Sequence, residues 1–141
     1  MIIQQLSIFL ENRSGRLTEL TETLAAENVN LSAMSVADTA EYGIVRAVVS
    51  DPEKARKVLK EKGFGVSLTD VLCLSTPNTP GSLARALRIL SDAEVSVEYL
   101  YAFSMGEKSL VVIRTDDILK GIRVFEEHEM ELMKASELYK I

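Results

Sequence analysis

The chain of 141 residues has one cysteine, one histidine and no tryptophan. A lone cysteine, Cys73, excludes an internal disulfide framework and any zinc site built from several thiolates. Flanked by Leu72 and Leu74 in an apolar segment, Cys73 reads as a packed sheet residue, not a reactive thiol. The lone histidine, His128, lies in the acidic stretch Glu126-Glu127-His128-Glu129 near the end of a predicted helix, where it reads as solvated and not as a ligand or general base. The remaining acids are spread along helix faces and caps, and no phosphate-cradling glycine motif occurs. No catalytic constellation, metal site or cofactor site is therefore expected. No apolar run approaches the ~20 residues that span a bilayer, and Met1-Ile2-Ile3-Gln4-Gln5 lacks the basic and apolar parts of a secretory signal. A cytoplasmic protein without a membrane role is expected. With 21 acids against 16 bases, the net charge of −5 argues against the basic face that nucleic acid requires.

What the chain does have is a repeat. Shifted by 66 residues, Leu6, Asn12, Gly15, Leu17, Leu24 and Val29 fall on Leu72, Asn78, Gly81, Leu83, Leu90 and Val95. Val45, Asp51, Lys54, Val58 and Glu61 then fall on Val111, Asp117, Lys120, Val124 and Glu127. The matches include a turn glycine with its leading asparagine and the apolar positions of successive elements, so a whole domain plan is repeated. The chain divides into units 1–68 and 69–141, each near the lower size limit for independent folding.

Within the first unit, Leu6, Ile8 and Leu10 alternate with Gln5, Ser7 and Phe9 at the period of a strand. Asn12-Arg13-Ser14-Gly15 turns the chain, and Leu17, Leu20 and Leu24 follow at helical spacing until Asn28 closes the helix. Residues 30–39 and 42–50 read as two strands joined by a tight turn. Asp51-Pro52 starts a second helix, with Ala55, Val58 and Leu59 on its apolar side and Gly63 as its stop. A last strand from Val66 runs without a linker into the first strand of the second unit. There the counterparts are Asn78-Thr79-Pro80-Gly81, a helix bearing Leu83, Leu87 and Leu90, strands 96–105 and 108–115 joined at Gly106-Glu107, and a helix capped by Asp116 or Asp117 with Ile118, Ile122 and Phe125 buried. Residues 130–135 form a weaker final strand.

The order βαββαβ, twice, predicts an α+β protein of two ferredoxin-like units, with both helices on one face of an antiparallel sheet and the two sheets side by side. Leu110-Val111-Val112-Ile113 is apolar on both sides, and Leu100 and Tyr101 point to opposite faces. This pattern suggests that the open sheet face packs on another sheet, most simply in a homodimer.

The strand-to-helix turn is the candidate site. A glycine at a helix start admits close approach to the backbone, and the free first-turn amides present the positive end of the helix dipole, an arrangement suited to a carboxylate. Asn12 and Asn78 stand three residues before the glycine, where a side-chain amide can donate to a carboxylate or accept from an ammonium group. An α-amino acid carries both. From the residues alone the pattern serves equally as a plain turn and cap.

The segment Leu10-Glu11-Asn12-Arg13-Ser14-Gly15-Arg16-Leu17, followed by Val29-Asn30-Leu31, resembles the Asn-Arg-Pro-Gly-x-Leu and Val-Asn-Ile motifs of ACT domains, above all those of the phosphoglycerate dehydrogenase regulatory domain. The second unit carries the signature as Asn78-Thr79-Pro80-Gly81-Ser82-Leu83 and Val95-Ser96-Val97. The resemblance covers essentially the whole chain. It implies a non-catalytic regulatory sensor that binds a free amino acid between paired ACT domains. Two alternatives remain: a regulatory subunit of an amino-acid biosynthetic enzyme, or an undetected small enzyme. The effector contacts of the family fall on Asn12 and Asn30 in the first unit and on Asn78 and Ser96 in the second. The implied ligand-binding set is thus Asn12 to Leu17, Asn30, Leu31, Asn78 to Leu83, Ser96 and Val97. Ser14 replaces the family's proline and Ser96 its second asparagine, so the two sites are expected to differ. An enzyme partner would receive the signal.

Overall fold

The computed structural model of the protein describes residues 1–38 and 41–141. In chain order the elements are β1 (Ile3–Glu11), α1 (Arg16–Ala26), β2 (Leu31–Asp38), β3 (Tyr42–Val49), α2 (Pro52–Glu61) and β4 (Gly65–Pro77). They are followed by α3 (Ser82–Asp92), β5 (Val97–Met105), β6 (Lys108–Thr115), α4 (Ile118–Glu127), β7 (Glu131–Leu132) and α5 (Ala135–Leu138). The predicted continuation of the second strand to Thr39, and the turn after it, lie outside the described residues. No helix among the described residues is long and apolar enough to cross a membrane.

Two compact units result. The N-terminal unit comprises Gln4–Thr69 and Ser136–Ile141, and the C-terminal unit comprises Met1–Ile3 and Asp70–Ala135. Each unit therefore includes a short segment from the far end of the chain. In the N-terminal unit the strand order is β2-β3-β1-β4, with β3 antiparallel to both neighbours. In the C-terminal unit it is β5-β6-β4-β7, all antiparallel, which is the same order 66 positions on. Both are the ferredoxin-like plan.

The repeat is also written in the main-chain hydrogen bonds. The amide of Val29 donates to Leu24 and that of Val95 to Leu90, each at 2.9 Å. Phe64 to Leu59 and Met130 to Phe125 close the second helix of each unit at 3.0 and 2.9 Å. Asp51 caps α2 by accepting from the Lys54 amide, and Asp117 caps α4 by accepting from the Lys120 amide. Of the two acids predicted as the α4 cap, Asp117 takes that role, while Asp116 accepts from the Ser96 amide at 3.0 Å and ties the start of β5 to the end of β6.

One core fills each unit. In the first, Leu6, Ile8 and Leu10 of β1 pack with Leu20 and Leu24 of α1, Ala55 and Leu59 of α2 and Val45, Ala47 and Val49 of β3. In the second, Leu72, Leu74, Ala86, Leu90, Val111, Ile113, Ile122 and Phe125 take these roles. Leu17 and Leu83, read from spacing as part of the buried stripe, are instead 39% and 37% exposed. They stand in the first turns of α1 and α3, and Leu17 lines a cleft with Leu10 of β1 and Val36 of β2. The four residues Leu110 to Ile113 are all buried within the single chain. The apolarity of β6 on both faces is thus satisfied without a second copy, and it no longer argues for a homodimer. The final strand is limited to Glu131–Leu132, shorter than residues 130–135, and a short helix the periodicity did not reveal, α5, begins at Ala135.

Candidate functional site

Both strand-to-helix turns have the same geometry. The Asn12 amide donates to the carbonyl of Glu41 at 2.9 Å, and the Asn78 amide to that of Glu107 at 2.8 Å, tying each turn to the start of the neighbouring strand. Gly15 and Gly81 are the N-cap residues of α1 and α3, at φ 86 and 88, in the left-handed region where a side chain is strained. No side chain caps either helix. A Cβ built at either glycine would meet no atom within 4 Å. Conformation, not crowding, thus requires glycine here, and the space above each helix start is open. The turn is reached equally with Ser14 or Pro80 before the glycine.

A cleft of about 130 Å³ opens beside the first turn. Glu11, Asn12, Arg13 and Arg16 form its polar side, and Leu10, Leu17 and Val36 its apolar side. The Arg16 guanidinium lies 4.2 Å from the Phe64 ring centroid and donates to Glu19 Oε2 at 2.9 Å, leaving its side chain only 11% exposed. A cation at a helix N-terminus opposes the dipole, so this arginine is held by the ring face and the glutamate, against the field of its own helix. Arg13 is paired with Glu11 at 3.1 Å on the surface. At the second turn the counterparts of these arginines are Thr79 and Ser82, whose hydroxyls share a hydrogen bond of 2.8 Å, and Asn78 Nδ2 reaches Ser104 Oγ at 3.5 Å. The first turn therefore carries two arginines, each paired with a glutamate, where the second carries two hydroxyls that bond to each other. The residue types behind this difference, Arg13 and Arg16 against Thr79 and Ser82, stand in the sequence outside the asparagine and proline positions of the motif.

The remaining predicted residues lie elsewhere. Asn30 exchanges hydrogen bonds with Ser50, its amide donating to Ser50 Oγ and its carbonyl accepting from the Ser50 amide, both at 2.9 Å. Ser50 follows β3, whereas Glu41, the partner of Asn12, precedes it. The eight residues of β3 therefore separate Asn12 from Asn30 by roughly 25 Å. Leu31 goes with Asn30, partly buried against the core. Asn78 and Ser96 are likewise at opposite ends of β6, with Val97 against the second core. Neither unit by itself brings together the two positions that the resemblance marks as effector contacts. Ser32, absent from the motifs, donates to the main-chain oxygen of Ile141 at 2.8 Å, next to the Asn30 side chain, which reaches the same oxygen at 3.2 Å.

The lone cysteine and the lone histidine each have a defined place. Cys73 is fully buried, and burial pushes its thiol up to about 12, far from the thiolate needed for attack. His128 Nδ1 lies 2.9 Å from the Val124 carbonyl at the end of α4. Among the described residues no group of three or more His, Cys, Asp or Glu side chains could hold a metal ion.

Comparison with known proteins places this geometry. No curated protein matches the sequence. Among solved structures, protein BT0572 from Bacteroides thetaiotaomicron is 52% identical, covering 100% of this chain and 98% of that one, with a TM-score of 0.97. The ligand-free regulatory subunit of aspartate kinase from Thermus thermophilus is 13% identical, covering 89% of this chain and 93% of that one, with a TM-score of 0.67. The aspartokinase alpha and beta subunits are 16% identical, covering 87% and 90%, with a TM-score of 0.60, and at such identities the likeness is one of fold. The family model described as an ACT domain pair matches residues 1–141, so the chain belongs to the ACT domain pair family.

Proposed function

We infer that the protein is a non-catalytic sensor of a free amino acid, held between the strand-to-helix turn of one ACT domain and the Asn30-type strand start of a paired domain. The observation that carries this is the pair of uncapped helix starts at Gly15 and Gly81, open above the glycine and led by Asn12 and Asn78. First-turn amides without a capping side chain favour an anion, and the carboxylate of an amino acid supplies it. The adjoining cleft adds Arg16 and the apolar wall of Leu10, Leu17 and Val36. The separation of Asn12 from Asn30 within a unit supports a ligand shared by paired domains. The first unit keeps both asparagines, Asn12 and Asn30, where the second has Asn78 and Ser96, and this supports the N-terminal unit as the tighter carrier of the ligand. The buried thiol and the hydrogen-bonded histidine support a role without catalysis, exercised in the cytoplasm. The domains take part as 1–68 and 69–141, the chain acts as a homodimer, and the output passes to a partner enzyme.

Thermal-shift screening of the standard amino acids tests the reading. A ligand at a hundredfold its dissociation constant stabilises the folded state by about 2.7 kcal/mol, a clear shift. Calorimetry then compares the hit with the amine that lacks its carboxylate. The amine should bind far more weakly; equal binding would overturn the placement of the carboxylate on the turn.

A further inference from the structure

The start of β2 is irregular. Leu31 pairs with Val49 and Ala33 with Val48, so Ser32 is the extra residue of a β-bulge. A bulge leaves that residue out of the ladder and re-aims its side chain. Here the re-aimed hydroxyl and the Asn30 side chain donate to one oxygen, that of Ile141, at 2.8 and 3.2 Å. Asn30 is itself fixed by its two hydrogen bonds to Ser50. Two anchored donors converging on one acceptor form a recognition point for an oxygen. The segment 136–141 that fills it is fastened twice more. Leu138 is fully buried, and the Tyr139 hydroxyl accepts from the Gln4 amide at 2.8 Å.

The other repeat supplies the contrast. β5 has the same bulge between Val97 and Tyr99, but its extra residue is Glu98, whose carboxylate lies 3.8 Å from Arg114 Nε. Ser96 there replaces Asn30. The bulge is thus common to both units, and the convergent pair of donors belongs to the first.

We propose that Asn30 and Ser32 recognise an acceptor oxygen on the side chain of the bound amino acid, that Ile141 keeps this position filled, and that ligand entry releases segment 136–141. This rests on the amino-acid reading above and adds the second state it needs. Without ligand the segment is docked, with ligand it is free, and the difference is what a partner reads. A competitor on the same chain acts at high effective concentration, so loosening it strengthens ligand binding.

The test uses the full chain with each of the twenty standard L-amino acids in turn, read by calorimetry and by hydrogen exchange of residues 136–141. An amino acid with oxygen in its side chain should bind and raise exchange in the segment. Tyr139→Phe, which removes the acceptor for the Gln4 amide and keeps the ring, should bind it about threefold more tightly or better. Binding to Tyr139→Phe alone also supports the latch. Binding that leaves both the exchange and the variant's affinity unchanged overturns the latch and leaves the amino-acid reading standing. Binding of no amino acid to either protein overturns both. The exchange measurement on the unaltered chain decides even if the variant misfolds.

Discussion

Single residues carry the distinction between the two turns. Asn12 stands beside Arg13 and Arg16, whereas Asn78 stands beside Thr79 and Ser82. Loss of a hydrogen bond to a charged ligand group costs about 1.5 to 3 kcal/mol, so Asn12→Ala should weaken the tight site about tenfold or more, as judged by calorimetric titration. Asn78→Ala should affect a weaker site, and retention of tight binding by Asn12→Ala with its loss in Asn78→Ala would reverse the order. Asn30→Ala removes a ligand contact and a segment contact together, so its net effect should be smaller than that of Asn12→Ala. Cys73 supports a prediction about pH. Its thiol is raised from 9.0 to about 12 by burial, so its contribution to stability is complete below pH 9 and is lost as pH rises through 12. The denaturation midpoint of the unaltered protein should fall across that interval, and Cys73→Ala should lack that part of the decline. Native Cys73 should be alkylated only through unfolding; rapid modification of the folded protein would show that the strand opens locally.

At the scale of elements, the repeats conserve volume by redistribution. Leu20, Ala55 and Leu59 in the first core correspond to Ala86, Gly121 and Phe125 in the second. The larger ring on α4 thus goes with smaller residues on α3 and α4, and a Cβ at Gly121 would lie 3.3 Å from Leu72 Cδ2 and from Thr115 Oγ1. Ala86→Leu should therefore overpack the second core, at a cost of about 1 to 3 kcal/mol in urea denaturation. Combining it with Phe125→Leu, which restores the first unit's residues at both positions, should recover part of that loss. Strict additivity of the two changes would show that the helices do not share this volume. Asn28 and Glu94, at φ 58 and 59, end α1 and α3 in the same left-handed conformation, which asparagine tolerates better than glutamate. The βαββαβ order, the Asp51 cap and both turn glycines were legible because each depends on residues within one or two helical turns of one another, whereas the α4 cap stayed open between Asp116 and Asp117.

For the whole molecule, the burial of β6 changes the meaning of a charge placed there. Val112→Glu would put an unpaired carboxylate into a site with 0% exposure and should unfold the chain, not dissociate a dimer. Val36, 51% exposed on the edge strand β2, is the position where a glutamate should separate two copies while leaving the fold intact. Light scattering and circular dichroism on both variants check this. A folded monomeric Val112→Glu, or an unaltered chain that is monomeric at high concentration, would sink the respective claim.

Sequence by itself determined what local spacing controls. The 66-residue offset, the βαββαβ order, the turn glycines at positions 15 and 81 and the unbroken passage from Val66 into the second unit all follow from periodicity and turn chemistry. Tertiary structure decided what depends on residues far apart in the chain. It put segment 136–141 on the N-terminal unit, closed both faces of β6, left Leu17 and Leu83 half-exposed, and placed Asn12 and Asn30 at opposite ends of β3. The bulge that aims Ser32 at Ile141 is likewise a matter of register between two strands. Register and docking follow from the sum of many distant contacts, so no short window of residues contains them.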